Sequence, residues 1–162
     1  MAALIEVLDG GVGNSIQDAG RYGFRHIGLA VSGALDPVLA RCANALVDNP
    51  SDCACIEVRA LGPTLLVRHG RVRVALAGDL AARLKRANGA VFDVLPWRSM
   101  VLFPHDVLEV ASLQGGTAYL AVAGGINSPV QLGSRSTYQR AMIGGKLAAL
   151  PSRPAELLPK RH

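Results

Sequence analysis

The chain has 162 residues, of which 50% are hydrophobic and 18% charged, and this composition excludes an intrinsically disordered protein. Its net charge of +5 comes from scattered basic residues, and aromatic residues make up only 4%, too few for a nucleic-acid stacking surface. The three cysteines have no histidine or cysteine cluster at ligand spacing, which argues against a zinc site and a disulfide framework. Without a signal-peptide pattern or a membrane-length apolar run, we expect a soluble, cytoplasmic protein that binds neither membranes nor nucleic acid.

The first part of the chain contains a strand, a loop and a helix. Alternating hydrophobic residues predict a strand at 4–8, and the glycine-rich segment 9–23 predicts a loop. Asp36 is a good N-cap and Pro37 suits the first helical position, so a helix is predicted over 36–49. Helical spacing predicts that its buried face consists of Val38, Cys42, Ala45 and Leu46.

After the helix, the hydrophobic pattern changes to a period of two with glycine turns between the runs. Segment 83–90 is predicted to be a charged hairpin tip, and a short second helix is predicted near 137–142. The expected fold is mostly β, a closed or nearly closed barrel with one clear α-helix. One β-rich domain is predicted over 1–150, followed by an extended tail over 151–162. Strands are predicted at 54–59, 64–68, 71–77, 91–95, 106–111 and 117–123.

Three polar segments are candidates for a binding site. The first is the glycine-rich loop with Gln17, Asp18 and Arg21, since binding groups concentrate on loops of a rigid β scaffold. The alternative is that Asp18 and Arg21 cap or pair locally. The second contains Ser32 and Gly33, which precede a helix N-terminus where backbone N–H groups attract anions. Ordinary turn and capping chemistry also explains this segment.

The third candidate follows the last predicted strand. Gly124 and Gly125 allow a ligand to approach the backbone, and Arg135 can bind a carboxylate or a phosphate in a bidentate manner. The neighbouring hydroxyl residues line this segment or cap a turn; they are Ser134, Ser136 and Thr137. The sequence has neither the glycine-rich P-loop motif of nucleotide-binding proteins nor the serine elbow of hydrolases, and its histidines lack metal-ligand spacing. No metal site is therefore expected.

The order of these motifs resembles one protein family. The segments SIQDAGRYGFRHIGLAVSGALDP (15–37), IEVRALGPTLLV (56–67) and YLAVAGGINSPVQLGSRST (119–137) look like the biotin-dependent carboxyltransferase-like family. That family includes the C subunit of 5-oxoprolinase, allophanate hydrolase subunit 2 and an antagonist of a protein that inhibits a sporulation kinase. The resemblance runs from about residue 5 to residue 145 and implies a cyclophilin-like β-rich module.

The resemblance implies a subunit of a 5-oxoprolinase, a hydrolase that uses ATP to open the lactam of 5-oxoproline and release glutamate. The expected partners are chains like its A and B subunits, which share the ATP, and a homo-oligomer is a further possibility. Two alternatives remain: a regulatory binding protein that antagonises a kinase inhibitor, or part of a urea or allophanate carboxyltransferase that needs biotin. The chain matches only the first half of the family pattern, so it is expected to require partners for activity.

The resemblance also suggests roles for the candidate residues. Gln17, Asp18 and Arg135 are expected to be catalytic, with Arg135 holding an anion and the other two recognising an amide. One departure from the family lies before a predicted strand, where a glycine usually precedes the aspartate and this chain has His105 before Asp106. The expected substrate-binding residues are Arg21, Ser32, Gly33, Gly124, Gly125, Ser134, Ser136 and Thr137.

Overall fold

A computed structural model describes residues 2–137 and the backbone of the strand at 145–148. The second helix predicted near 137–142 and the predicted tail over 151–162 lie outside the described residues. None of the helices in this part of the chain is long and apolar enough to cross a membrane.

Short strands dominate the described residues, with one α-helix, α1 (Pro37–Ala45), and a short 3-10 helix (Arg25–Ile27). The mostly β fold with one clear α-helix is therefore confirmed. The strands are β1 (Leu4–Asp9), β2 (Ser15–Gln17), β3 (Cys55–Val58), β4 (Thr64–His69), β5 (Val72–Ala77), β6 (Ala82–Lys85), β7 (Val91–Val94), β8 (Ser99–Leu102), β9 (Val107–Val110), β10 (Ala118–Val122) and β11 (Gly145–Ala148).

The strands form two antiparallel sheets that share one hydrophobic core. The first sheet has the order β11-β1-β4-β9-β6-β7, and the second has the order β2-β3-β10-β5-β8. Leu65 and Leu108 of the first sheet belong to the same buried cluster as Ile56, Leu76 and Leu120 of the second. Alternation along each strand places these residues on the inner face, and their burial is the main source of stability.

Helix α1 packs on the outer face of the second sheet through small residues. Asp36 caps its first turn by accepting a hydrogen bond from the Leu39 N–H at 2.9 Å. The buried residues of the helix are Ala40, Ala43 and Asn44. They meet a sheet surface that is also rich in small residues, among them Ala75, Ala77 and Ala121. Small side chains on both sides allow the helix to lie close to the sheet.

The predicted buried face of this helix is confirmed for two of its four residues. Cys42 and Leu46 are partly buried and pack against the cluster beneath the helix, but Val38 is 68% exposed and Ala45 is exposed. The fully buried residues include Ala40 and Ala43, because small side chains fit closely against the alanine-rich surface of the sheet.

Some strands were missed in the sequence. Residues 15–17 form β2 although 9–23 was predicted to be a loop, because this edge strand pairs with β3 through Ile16↔Ile56. The hairpin predicted at 83–90 is confirmed, since β6 and β7 pair antiparallel across a turn in which the Arg86 N–H donates to the Ala90 carbonyl oxygen at 2.8 Å; its first residues belong to β6, which also pairs with β9. Strand β8 was not predicted, and it pairs with β5. The remaining predicted strands are confirmed within one or two residues at their ends.

A buried carboxylate joins the turn after β6 to the turn before β9. Asp106 is 2% exposed and accepts hydrogen bonds from Arg86 Nη1 at 2.5 Å and from the Phe103 N–H at 2.8 Å. The preceding residue, His105, has a φ of +69°, a left-handed conformation that favours glycine. The departure from the family pattern at this position therefore introduces backbone strain.

We expect His105→Gly to stabilise the protein by about 1 kcal/mol, since glycine relieves the left-handed strain at a small entropic cost. Chemical denaturation measured by circular dichroism checks this value. His69→Gly is the matched control, because His69 is also exposed but lies in the strand β4, where glycine is expected to destabilise. Destabilisation by both variants would contradict the strain at His105.

Candidate functional site

The carboxylate of Asp18 joins two loops that are far apart in the sequence. Its Oδ1 accepts hydrogen bonds from the Ser134 and Ser136 hydroxyls, both at 2.6 Å, and from the Gly20 N–H at 2.8 Å. Its Oδ2 accepts from the Arg135 N–H at 2.6 Å. We call this arrangement of Asp18, Gly20 and 134–136 the carboxylate clamp.

The protonation state of Asp18 follows from these contacts. Burial disfavours the charged carboxylate, but the hydrogen bonds from Ser134, Ser136, Arg135 and Gly20 outweigh burial, and the pKa of Asp18 is lowered from its ordinary value of 3.8. The charged form is therefore the one that holds the loops together. A carboxylate with four protein donors has little remaining capacity to bind a ligand.

Arg21 strengthens the same junction from the other side. It is 3% exposed, and its Nη2 donates to the Ser136 carbonyl oxygen at 2.6 Å. Its Nη1 donates to Ser32 Oγ at 3.2 Å, and its Nε donates to the Gln131 carbonyl oxygen at 3.4 Å. The buried side chain of Arg21 therefore connects its own loop to the two loops that contain Ser32 and Ser136. Its predicted role in substrate binding stays a prediction.

The loops around Asp18 are also fixed by backbone contacts. Thr137 extends the edge of β2, because its N–H donates to the Ile16 carbonyl oxygen at 2.8 Å and its Oγ1 accepts from the Ile16 N–H at 3.2 Å. The Ala34 N–H donates to the Asp18 carbonyl oxygen at 3.1 Å. These bonds bring all three candidate segments of the sequence into one region.

Gly124 and Gly125 lie at the end of β10, and their backbone N–H groups are occupied. The Gly124 N–H donates to Asn49 Oδ1 at 2.7 Å, and the Gly125 N–H donates to the Val122 carbonyl oxygen at 2.8 Å. Both residues have left-handed φ angles, of +87° and +82°. A Cβ at Gly125 would lie 3.4 Å from Cys53, an ordinary van der Waals contact, so the left-handed φ rather than the available space favours glycine here. Their predicted contact with substrate is untested.

Arg135 is half-buried, and its guanidinium forms hydrogen bonds within its own loop. Its Nη1 donates to Asn127 Oδ1 at 3.2 Å and to the Ser128 carbonyl oxygen. Its positive charge opposes the effects of burial and of Asp52, which together raise the pKa of Cys53. The guanidinium therefore lies within electrostatic range of Cys53.

A buried pair that sequence reasoning missed fixes the segment before α1. Glu57 is 3% exposed, and its Oε2 accepts hydrogen bonds from the Tyr119 hydroxyl at 2.7 Å and from the Leu35 N–H at 2.8 Å. The Tyr119 oxygen accepts in turn from the Asp36 N–H at 2.9 Å. Burial and the Glu57 carboxylate raise the pKa of Tyr119. The available signal was a single acidic residue within the hydrophobic run 54–58.

A small cleft of about 200 Å³ lies between these loops and the start of α1. Of the predicted site residues, it brings together Gln17, Asp18, Ser32 and Gly33. Ser32 has a φ of +56°, a strained conformation for a residue with a side chain, and such strain concentrates at functional sites. Further lining residues that sequence reasoning missed as site candidates are Arg41, Ser51, Asp52 and Cys53.

Gln17 is the most unusual residue of this cleft. It is 8% exposed, and its Nε2 donates to Ser15 Oγ at 2.9 Å. Its Oε1 is buried and has no hydrogen-bond partner among the described residues. Buried polar atoms without partners are rare in folded proteins and often occur where a ligand or water is bound.

A second depression, of about 430 Å³, is shallower and lies on the loop before the cleft. Its lining residues include the exposed side chains of Arg25 and His26. It lacks the buried polar groups that fix the orientation of a ligand, so the smaller cleft is the better candidate site. Within the described residues, no group of acidic, histidine and cysteine side chains is arranged to hold a metal ion.

Comparison with known proteins gives consistent similarities. The family model described as carboxyltransferase domain, subdomain A and B, matches residues 27–157. The chain is 34% identical over 143 residues to the C subunit of 5-oxoprolinase from Escherichia coli, covering 88% of this chain and 44% of that protein. It is also 34% identical over 142 residues to urea amidolyase of Lachancea kluyveri, covering 86% of this chain and 8% of that protein.

Solved structures agree with these matches. The structure of Kluyveromyces lactis urea amidolyase has a TM-score of 0.80 and 31% identity, covering 92% of this chain and 10% of that one. The structure of Kluyveromyces lactis urea carboxylase also has a TM-score of 0.80, with 30% identity over 92% of this chain and 15% of that one. The chain therefore spans less than half the length of each of these similar proteins.

We expect Asp18→Asn to destabilise the protein by about 1–3 kcal/mol at neutral pH. The NH2 group of the asparagine side chain would face hydrogen-bond donors of the carboxylate clamp, and these donors would lose their acceptor. Since the pKa of Asp18 is lower in the folded state, the charged carboxylate contributes its full share of the folding stability above pH 3.8. This stabilisation is lost as the pH falls through the pKa of the folded state. The difference between wild type and variant should therefore shrink in acid, as measured by urea unfolding across pH. Asp79→Asn, at an exposed aspartate, is the control and should change little.

We expect Tyr119→Phe to lower the free energy of unfolding by about 1–3 kcal/mol, because the Asp36 N–H and the Glu57 carboxylate each lose a partner. Thermal and urea unfolding measure the loss. Tyr22→Phe is the matched control, since Tyr22 is 71% exposed. Equal stability of Tyr119→Phe and wild type would show that the hydroxyl does not hold the segment before α1.

Proposed function

Because the chain belongs to the family of carboxyltransferase domains, subdomain A and B, we propose that it is a subunit of an ATP-dependent 5-oxoprolinase. In this proposal, the assembled enzyme opens the lactam of 5-oxoproline to give glutamate, and partner chains similar to the A and B subunits complete it. In the same proposal, ATP is shared with the partner chains. This chain contributes the binding of the amide.

The observation that carries this proposal is the cleft with the unpaired oxygen of Gln17. An amide is chemically inert, so its activation requires a site that holds it in place and stabilises the charge that develops on its oxygen. Gln17 offers an acceptor for the amide N–H. The Ser32–Gly33 backbone lies on the same cleft and offers donors for the carbonyl oxygen.

A second candidate function is carboxyl transfer to urea, which the similarity to urea amidolyase favours. This function also activates a small amide, so it makes the same demands on the cleft. It differs in its cofactor, because the carboxyl group would come from biotin on a carrier chain. The two functions are therefore separated by their partner and cofactor rather than by the shape of the cleft.

The decisive experiment is an assay of ADP release with this chain and its candidate A and B subunits. We expect ADP release that depends on 5-oxoproline and requires all three chains. Release that depends on urea, bicarbonate and a biotinylated carrier would instead support carboxyl transfer. Subunit binding without any ADP release would overturn the enzymatic proposal and leave a regulatory binding protein.

We expect Arg135→Ala to reduce this ADP release about tenfold or more, since a lost charge interaction in the transition state of about 1.4 kcal/mol corresponds to one factor of ten. Asn127→Ala is the matched control, because it removes one loop contact of Arg135 and keeps the guanidinium. A comparable loss in Asn127→Ala would mean that Arg135 only tethers the loop. Unfolding midpoints of both variants verify that they are folded.

A further inference from the structure

We infer that the free edge of β7 is an interaction surface for a second copy of this chain, with the two β7 strands paired antiparallel about a two-fold axis. This edge lies apart from the candidate site, because none of the residues that line the cleft belongs to the segment 82–103. The inference therefore goes beyond the proposed function and does not depend on it.

Strand β7 ends the first sheet, and hydrogen bonding along the sheet shows which of its backbone groups point outward. The Ala111 N–H donates to the Ala81 carbonyl oxygen at 2.9 Å, so odd-numbered residues of β6 bond toward β9 and even-numbered ones toward β7. Phe92 lies opposite an even-numbered residue of β6, and its backbone groups point to that strand. Those of Val91 and Asp93 point to the free edge, where no other described residue bonds to them.

The edge strands of the second sheet are covered within the described part of the chain, whereas β7 is bare. Thr137 bonds to Ile16 along β2, and Arg86 Nη1 donates to the Val101 carbonyl oxygen of β8 at 3.1 Å. Strand β7 has no lysine, no proline and no register shift, which are common means by which an edge strand avoids pairing with another chain. Its edge is therefore available for an added strand.

Exposed aromatic side chains lie on β7 and on the segment that follows it. Phe92, Trp97 and Phe103 are 53%, 50% and 47% exposed. Phe92 is on the inner face of the sheet, opposite the buried Leu84, and is exposed at the edge because no further strand follows β7. Trp97 has a φ of +66°, which is rare for a bulky residue, and such strain concentrates at functional sites. Aromatic residues held at a surface are typical of protein interfaces.

Alternation and charge select one register for two copies of β7. Their sheets continue into each other only when residues of the same face lie opposite, which places Phe92 opposite Phe92 and Val91 opposite Asp93. A shift one way places Asp93 opposite Asp93, where two carboxylates repel, and a shift the other way places it opposite the turn before β7.

The selected register brings no like charges opposite each other. On the outer face, Arg83 and Asp93 of one copy continue into Val91 and Lys85 of the other, so each carboxylate lies in a row with basic residues. On the inner face, the two exposed Phe92 rings cover each other. An edge that complements itself in charge and shape in this way favours a second copy over a different protein.

Sedimentation velocity of the complete 162-residue chain tests the association. We expect one chain mass at low concentration and twice that mass at high concentration. Phe92→Lys should raise the Kd of the dimer about tenfold or more, because it places two positive charges opposite each other at the centre of the pairing. Leu8→Lys is the matched control, since Leu8 is 52% exposed on β1 of the same sheet, and it should leave the Kd unchanged.

Disulfide trapping tests the register without altering Phe92. Directly opposite residues of an antiparallel pair have Cα atoms roughly 5.5 Å apart or closer, within the reach of a disulfide. A mixture of Val91→Cys and Asp93→Cys chains with oxidised glutathione should therefore form a covalent mixed dimer at least several times faster than either variant alone. The wild-type chain, which keeps its three native cysteines, gives the background.

Three results would overturn the inference. The first is a single-chain mass at every concentration up to about 1 mM, the weak end of the affinity scale. The second is a dimer that Phe92→Lys and Leu8→Lys weaken equally, or that yields no preferred mixed disulfide, since another surface then holds it. The third is a chain that stays single but binds a B-subunit-like chain through Phe92, which assigns the edge to a different partner. ADP release enters none of these measurements, so the proposed function stands or fails separately.

Discussion

The carboxylate of Asp18 is the interaction on which the arrangement of the candidate site depends. It accepts hydrogen bonds from two serine hydroxyls and two backbone N–H groups, and the loops that it joins lie 116 to 118 residues apart. A charged carboxylate is costly to desolvate, but charge-assisted hydrogen bonds in a partly buried setting are strong, and here they outweigh that cost. Arg21 adds a buried guanidinium to the same junction.

The second constraint is the close approach of α1 to the sheet. Alanines on both surfaces bring the helix near β5 and β10, and the polar network at its end depends on this short distance. Asn44 Nδ2 donates to the Cys53 carbonyl oxygen at 2.9 Å, and Asn49 Nδ2 donates to the Val122 carbonyl oxygen at 2.8 Å. At the other end, Glu57 and Tyr119 hold the backbone of Leu35 and Asp36. The wall of the cleft is therefore fixed at both ends of the helix.

The sequence predicted those parts of the fold and the site that local patterns determine. The period of two identified most strands, and Asp36-Pro37 identified the start of α1, because these signals act within a few residues. Strand β2 and the burial of Ala40 and Ala43 in α1 were not predicted, because both depend on distant partners. The three candidate segments meet in one region of the structure, but no local pattern indicates that Asp18 is occupied by four donors. Arg41, Ser51 and Asp52 could not be identified as cleft residues from the sequence, since the cleft forms only when distant loops meet.

The occupancy of hydrogen-bonding groups separates framework residues from residues that can bind a ligand. A polar group whose hydrogen-bonding capacity is satisfied by the protein gains little from a ligand, because any new bond must replace an existing one. By this criterion Asp18 and the Gly124 N–H form the framework, whereas Gln17 Oε1 has no hydrogen-bond partner among the described residues. The hydrogen bonds of Asp18 thus hold together the loops that border the cleft, and the cleft brings Gln17 together with Ser32 and Gly33.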